Sequence, residues 1–172
     1  MSMKEITPRD LGNAMKMIGD DWTLITAEKK DGSVNTMTAS WGFMGVLWNK
    51  PVCAVFIRPQ RHTLSFVEAA DRLSLTFFSE KHRAALRLCG TKSGRDMDKI
   101  AAADLTLCHT ENGVPYFKEA KTVLVCRKLY EDVLKPECFI DKGVLAANYP
   151  AKDYHKVFIC EIEQVWMDEE NK

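Results

Sequence analysis

Net charge is the first thing this sequence lacks. Its 24 Lys and Arg residues offset 24 Asp and Glu, which gives no support to a general nucleic-acid binder, whose surface must carry excess positive charge. No Cys-x-x-Cys pair occurs. The six cysteines, Cys53, Cys89, Cys108, Cys126, Cys138 and Cys160, are scattered through apolar runs. That pattern fits reduced, buried thiols rather than a disulfide framework or a zinc site. The four histidines, His62, His82, His109 and His155, have no close metal-ligand spacing, so no metal site is expected. Apolar stretches fall far short of the ~20 residues that cross a bilayer, and Met1 to Asp10 contains no apolar signal core. No membrane association is expected, and a cytoplasmic protein is the default. Linkers, internal repeats and low-complexity segments are absent too. So is a regular βαβ alternation with a Gly-x-Gly-x-x-Gly turn, which argues against a dinucleotide-binding Rossmann domain.

What remains is an ordinary globular balance. The 172 residues are 46% hydrophobic and 28% charged, and that length suits one domain over residues 1–172, burying ~70% of its unfolded surface. Thr7-Pro8-Arg9-Asp10 predicts the start of a short helix, with an apolar stripe of Leu11, Ala14, Met15 and Ile18 and a stop at Gly19. Trp22 to Lys29 alternates as a strand, and Lys30-Asp31-Gly32-Ser33 is a hairpin turn. Later strands are expected at Arg72–Phe78, Leu105–His109, Thr122–Tyr130, Phe139–Asn148 and Lys156–Trp166. Short helices are expected at Leu64–Ala70 and from Ser79 to Leu88, the latter stopping at Gly90. Seven or more strands with a few short helices make a mainly β protein, read most economically as a closed or partly closed antiparallel barrel.

The stretch Asn35 to Thr63 carries the chemistry. Read as a strand from Asn35, it puts Thr36, Thr38, Ser40 and Gly42 on one face, and Met37, Ala39, Trp41 and Phe43 on the other, a core face. The first face is a row of hydroxyls ending in a glycine, which lets a ligand approach the backbone. Val52 to Ile57 is continuously apolar and reads as a strand buried on both faces. It leads into Arg58-Pro59-Gln60-Arg61-His62-Thr63. Arg58 and Arg61 present planar forks of donors that suit a phosphate. Thr63 reads as the N-cap of the next helix, whose N-terminus is itself a candidate anion site. Equally, the stretch could be a plain hairpin with solvent-facing hydroxyls and surface arginines.

Asn-Thr-Met-Thr-Ala-Ser-Trp-Gly, then Arg-x-x-Arg-x-Thr, then Cys89-Gly90-Thr91-Lys92-Ser93-Gly94-Arg95-Asp96-Met97-Asp98-Lys99, occur in that order. Together they resemble the flavin reductase-like, FMN-binding split-barrel family, and within it the flavoredoxin-type proteins, from about Leu11 to Trp166. The resemblance implies an antiparallel Greek-key split β-barrel with a few short flanking helices. It also implies FMN as cofactor, and a homodimer with the cofactor at the interface. An electron donor would be NAD(P)H or a redox partner protein. FMN needs a dianion site, an apolar slot and polar groups near its reactive ring edge. Arg58 and Arg61 are the phosphate candidates. Thr38, Ser40 and the backbone from Ala39 to Gly42 are candidates for the ring edge and ribityl chain. By resemblance, Thr63, Ser93, Gly94 and Lys99 complete the surroundings, although the second loop could serve a partner subunit instead.

Other candidates have bland alternatives. Trp41 could cover the flavin or simply be core, as strand aromatics usually are. His62 could touch phosphate or be an exposed histidine at a helix start. Cys89 could be a redox thiol or a packed helix-end cysteine. Asp96, Asp98 and Lys99 could be a solvated charge run. Tyr154 or His155 could reach the substrate side of a flavin or be polar residues before the last strand. No catalytic side chain is required. The expected activity is an FMN-dependent oxidoreductase; the alternative is a non-catalytic flavin-binding carrier or sensor.

Overall fold

The Asp31-Gly32 turn sets the first hairpin. A computed structural model, which describes residues 3–168, puts Gly32 in the left-handed region at φ 81°. Asp31 Oδ1 accepts from the Ser33 amide at 2.9 Å, an Asx-type turn. The hairpin joins β2 (Thr23–Glu28) to β3 (Val34–Ala39). β1 (Met3–Ile6) precedes it. A second hairpin joins β4 (Gly42–Leu47) to β5 (Lys50–Ile57). Its two turn residues, Trp48 and Asn49, both lie in the left-handed region at φ 53° and 58°, the arrangement whose twist matches the flanking strands.

The remaining elements follow in chain order: α1 (Leu64–Ala69), β6 (Arg72–Phe77), α2 (Arg83–Thr91), α3 (Lys99–Ala102), β7 (Leu107–His109), β8 (Pro115–Phe117), β9 (Thr122–Val133), α4 (Lys142–Asn148) and β10 (Lys156–Asp168). All pairings are antiparallel. The large sheet runs β3-β2-β6-β9-β10-β5-β4, with β1 also on β10, and β7-β8 form a separate ribbon. β5 returns beside β10 instead of β6, a Greek-key crossing.

The two end strands of this order, β3 and β4, are consecutive in the chain. Only Ser40 and Trp41 lie between them, a span of ~10 Å at full stretch. The sheet must therefore curl until its edges nearly meet. No ladder pairs β3 with β4 among the described residues, so the barrel is closed in shape but split along this seam.

Adjacent residues of the central strands feed two cores. Ile25, Leu124 and Cys126 point into the barrel with Leu73, Leu75, Phe77, Ile57 and Phe158. Leu24, Val123 and Val125 point outward, where Leu86, Cys89, Leu105 and Phe117 from the helices and the ribbon cover them. Burial on both faces is why these strands are continuously apolar instead of alternating. The expected face of Leu73, Leu75 and Phe77 is found, as is the double-sided burial of Val52 to Val55 and Ile57.

Three expectations are corrected. The N-terminal helix is two pieces, a 3-10 turn at Pro8–Asp10 and a π turn at Lys16–Asp21. The Thr7 hydroxyl bonds the Asp10 carboxylate at 2.8 Å instead of capping backbone, and Met15 of the expected stripe is 86% exposed. Phe139–Asn148 is not a strand: Asp141 Oδ1 accepts from Gly143 and Val144 amides and starts α4, an N-cap signal stronger than the β propensity around it. The Asn35 strand stops at Ala39, so its alternation does not extend to Trp41 and Phe43. Both are exposed, not core.

Leu124 is fully buried inside the barrel, whereas Ile140 is 98% exposed. Leu124→Ala should lower unfolding free energy by about 2–5 kcal/mol in urea denaturation, while Ile140→Ala should stay within about 0.5 kcal/mol of wild type.

Candidate functional site

The seam opens into a cleft of about 230 Å³. Thr38, Ala39, Ser40 and Trp41 come from the end of β3 and the two-residue link. Phe56 comes from β5, Arg58 and Arg61 from the loop after it, and His155 from the start of β10. The Trp41 ring is half exposed and lies 5.3 Å from the His155 ring. Because the strand has ended, Trp41 is free to stand on the cleft wall instead of the core face.

The two arginines differ in charge balance. Arg58 Nη1 is paired with Asp153, its Nη2 donates to the Asn148 carbonyl at 2.9 Å, and its guanidinium lies over the Tyr149 ring. Gln60 Nε2 donates to the same Asp153 oxygen at 2.9 Å. These contacts hold the Asp153 pKa below its ordinary value, hydrogen bonds from Gln60 and Arg58 being the strongest lowering causes. The other Asp153 oxygen, Oδ1, is buried without a hydrogen-bond partner. Arg61 has no carboxylate partner among the described residues. It donates to the Gly90 carbonyl at 2.7 Å and the Cys89 carbonyl at 3.3 Å, the open C-terminal end of α2, where a cation is favoured. Burial lowers its pKa.

Of the hydroxyl face, only Ser40 is exposed. Thr36 is fully buried and shares hydrogen bonds with Thr26 Oγ1 at 2.9 Å and the Ile25 carbonyl at 3.1 Å. Thr38 is half-buried, and its hydroxyl donates to the Leu86 carbonyl. Thr63 is 1% exposed and accepts from Asn35 Nδ2 at 3.1 Å. It makes no side-chain cap, and α1 is six residues long, so the expected anion site at that helix start is not built. Gly94 and Lys99 line a separate hollow with Val34, Asn35 and Leu107. A Cβ on Gly94 would stand 2.3 Å from Asn35 Oδ1, so the glycine admits the asparagine that ties β3 to Thr63. Lys99 is 4% exposed and donates to the Thr36 and Cys89 carbonyls at 2.5 and 3.3 Å; burial pushes its pKa down. The Ser93 hydroxyl accepts from the Arg95 amide at 3.2 Å. His62 lies off the cleft, edge-on to Phe66. The second loop thus braces β3 from behind, and the first loop supplies the cleft.

Cys89 is fully buried, and burial pushes its thiol pKa up despite the nearby Lys99 and Arg61. It packs; it is not poised for thiol chemistry. Among the described residues, no group of three His, Cys, Asp or Glu is placed to hold a metal. His155 is the wall residue the sequence left open. Its spacing after Asp153 gives no chemical signal, because the contact that places it, Tyr149 Oη to His155 Nδ1 at 2.8 Å, depends on the α4 excursion.

Burial first, then the Arg58 charge, lowers the His155 pKa to about 4. The unfolded chain protonates this ring near 6.5, so between about pH 6.5 and 4 the unfolded state binds the extra proton and stability falls as pH falls. NMR titration should find the His155 ring neutral down to about pH 4, and His155→Gln should flatten the pH dependence of stability in that window.

Comparison with known proteins now bears on the fold. No curated protein matches the sequence. Many solved structures resemble it, three of which follow. An FMN-binding domain of a flavin reductases-like enzyme from Shewanella baltica aligns at TM-score 0.70 and 16% identity, covering 97% of this chain and 78% of that one. Flavoredoxin of Desulfovibrio vulgaris aligns at 0.67 and 21%, covering 87% and 70%. Nitrilotriacetate monooxygenase component B from Bacillus cereus aligns at 0.70 and 17%, covering 100% and 85%. At these identities the likeness concerns the fold, an antiparallel split barrel with short flanking helices. The family model of the flavin reductase like domain matches residues 15–172, nearly the whole of the split barrel, and the chain belongs to that family.

Proposed function

We propose that the seam cleft holds FMN and that the protein is an oxidoreductase of flavin reductase or flavoredoxin type, passing electrons from NAD(P)H or a redox partner protein to an acceptor. Arg61 carries this reading: a half-buried guanidinium without a carboxylate partner, beside Ser40 and Trp41 in the seam. Two of its five N–H donors hold the end of α2, which leaves three for a phosphate. Arg58 is compensated by Asp153, so it shapes the cleft more than it adds charge. Trp41 and Phe56 provide apolar wall, and the backbone of Ala39 and Ser40 provides polar groups. Relatives whose names specify FMN binding and flavoredoxin support the cofactor. Bound there, FMN supplies hydride and electron acceptance at its ring. The protein's residues bind and orient it, and the neutral His155 adds no charge beside it.

We also propose a homodimer. The cleft is smaller than the roughly 300–1,000 Å³ of pockets that enclose a ligand. Next to it, the edge strand β4 and its turn expose Phe43, Val46, Leu47 and Trp48, an apolar unpaired edge of the kind proteins cover. No helix among the described residues is long and apolar enough to cross a membrane. With six unpaired cysteines, the reading we adopt for its compartment is cytoplasmic.

Titrating FMN into the apo-protein should give saturable fluorescence change, and a reduced nicotinamide should then bleach the flavin absorbance. Arg61→Ala should weaken FMN ~10- to 100-fold, the loss of one charged hydrogen bond, and leave riboflavin affinity nearly unchanged. Equal losses for both ligands would reject Arg61 as the phosphate residue, and bound flavin that no nicotinamide bleaches would favour a carrier.

Light scattering should give twice the 19.5 kDa chain mass, and Val46→Asp should produce monomers with weakened FMN binding. A stable wild-type monomer at full flavin occupancy would defeat the dimer.

A further inference from the structure

Beyond the seam the chain gathers cations that nothing above uses. Lys29 follows β2, and its Nζ lies 4.3 Å from the centre of the Phe66 ring. His62 meets the same ring edge-on, with centroids 5.0 Å apart. Arg95, from the loop after α2, donates Nη1 to the Gln60 carbonyl at 3.2 Å. Phe66 and the 60–62 backbone thus collect three cationic or donor side chains from three separate segments. None of the three belongs to an ion pair among the described residues, whereas Lys50, Arg58, Arg72, Arg83, Arg127 and Lys156 all do. The nearby acids form no ion pair with the group among the described residues. Asp31 is occupied by Ser33, whose amide and hydroxyl both bond it, and Asp96 is exposed. Burial first, then the charges of Arg95, Lys29 and Lys99, lower the His62 pKa, with Asp96 opposing them, so positive charge outweighs negative around this ring.

The group adjoins the flavin cleft without being part of it. Gln60 joins them: its side chain bonds Asp153 behind Arg58, and its carbonyl holds Arg95. Arg61 faces the cleft, and the next residue, His62, turns onto Phe66. FMN has one phosphate, which Arg61 serves in the reading above. A second anion site one residue further on suits a second ligand. Two guanidinium or ammonium groups plus an imidazole match a phosphate monoester, a dianion with three free oxygens, better than the singly charged diesters of a pyrophosphate.

We infer that Lys29, His62 and Arg95 form a second phosphate site that takes the 2′-phosphate of NADPH, making the protein selective for NADPH over NADH. The inference rests on the reductase reading for its biological use, but the site can be tested without it. Lys29→Met with Arg95→Gln keeps both stems packed and removes both charges. In wild type, kcat/KM for NADPH should exceed that for NADH by about tenfold or more, as expected for one charged contact. The double variant should lower kcat/KM for NADPH at least about tenfold more than for NADH. Independently, calorimetry on the FMN-loaded protein should show adenosine 2′,5′-bisphosphate binding about tenfold or more tighter than 5′-AMP, a preference the double variant abolishes. If the bisphosphate preference holds but neither nicotinamide bleaches the flavin, the site stands and the reductase reading falls. No bisphosphate preference in wild type, or a preference the variant leaves intact, overturns the site. So does a variant that weakens FMN itself while treating NADPH and NADH alike, because the patch would then serve the flavin's own phosphate.

Discussion

Two residues decide the shape of this molecule. Ser40 and Trp41 join strands at opposite ends of the sheet, and covalent reach alone forces the sheet to close around its core. Hydrogen bonding does not follow: Ser40 and Trp41 lack the left-handed turn conformation that Trp48 and Asn49 adopt, and no ladder joins β3 to β4 among the described residues. The local chemistry is tuned to the near-contact: a Cβ on Gly42 would stand 2.8 Å from the Ala54 carbonyl, so only glycine lets β4 leave the seam against β5. The barrel therefore carries a built-in gap with unpaired backbone and exposed aromatic rings on its rim, in a protein otherwise buried on both faces of its central strands.

Around that gap, the C-terminal end of α2 organises charge. Its Cys89 carbonyl accepts from both Arg61 and Lys99, and its Gly90 carbonyl from Arg61. Gly90 itself packs on Thr38, with 3.4 Å between its ideal Cβ position and the Thr38 Cβ. One helix end thus fixes the side of β3 that faces the cleft, and it orients a guanidinium by satisfying carbonyls that would otherwise be left open. Lys99 performs the same service entirely out of solvent, at the cost of a lowered pKa. What distinguishes the two is access to the cleft, not their anchor.

The strands were legible from the residues because burial on both faces leaves long apolar runs, and because Asp31-Gly32 punctuates them. The arginine loop was legible as a loop with phosphate chemistry. The unequal charge balance of Arg58 and Arg61 was not, since Asp153 lies 95 residues from Arg58. Trp41 stayed open between flavin cover and core because a two-residue break cannot be told from continued alternation in Thr-Ala-Ser-Trp-Gly-Phe. The hydroxyl row was legible, but its use was not: Thr36 and Thr63 spend their oxygens inside the protein on Thr26 and Asn35. α4 was missed because Val144, Leu145 and the alanines suit either element, and only the Asp141 cap decides.

β10 is the strand on which three others depend. β5 and β9 flank it, and β1 pairs with its far end, Met3 opposite Asp168 and Ile6 opposite Val165. It is also the last strand among the described residues. During synthesis, β1, β5 and β9 leave the ribosome before the strand that unites them exists. The half-made chain carries apolar strand edges with nothing to pair with, the condition under which nascent β proteins aggregate. The β3-β2-β6-β9 strands and the β4-β5 hairpin have partners among themselves, but only β10 joins the two groups. Closing the barrel waits for residues 156–168 and runs through contacts far apart in the sequence, which are slow to form.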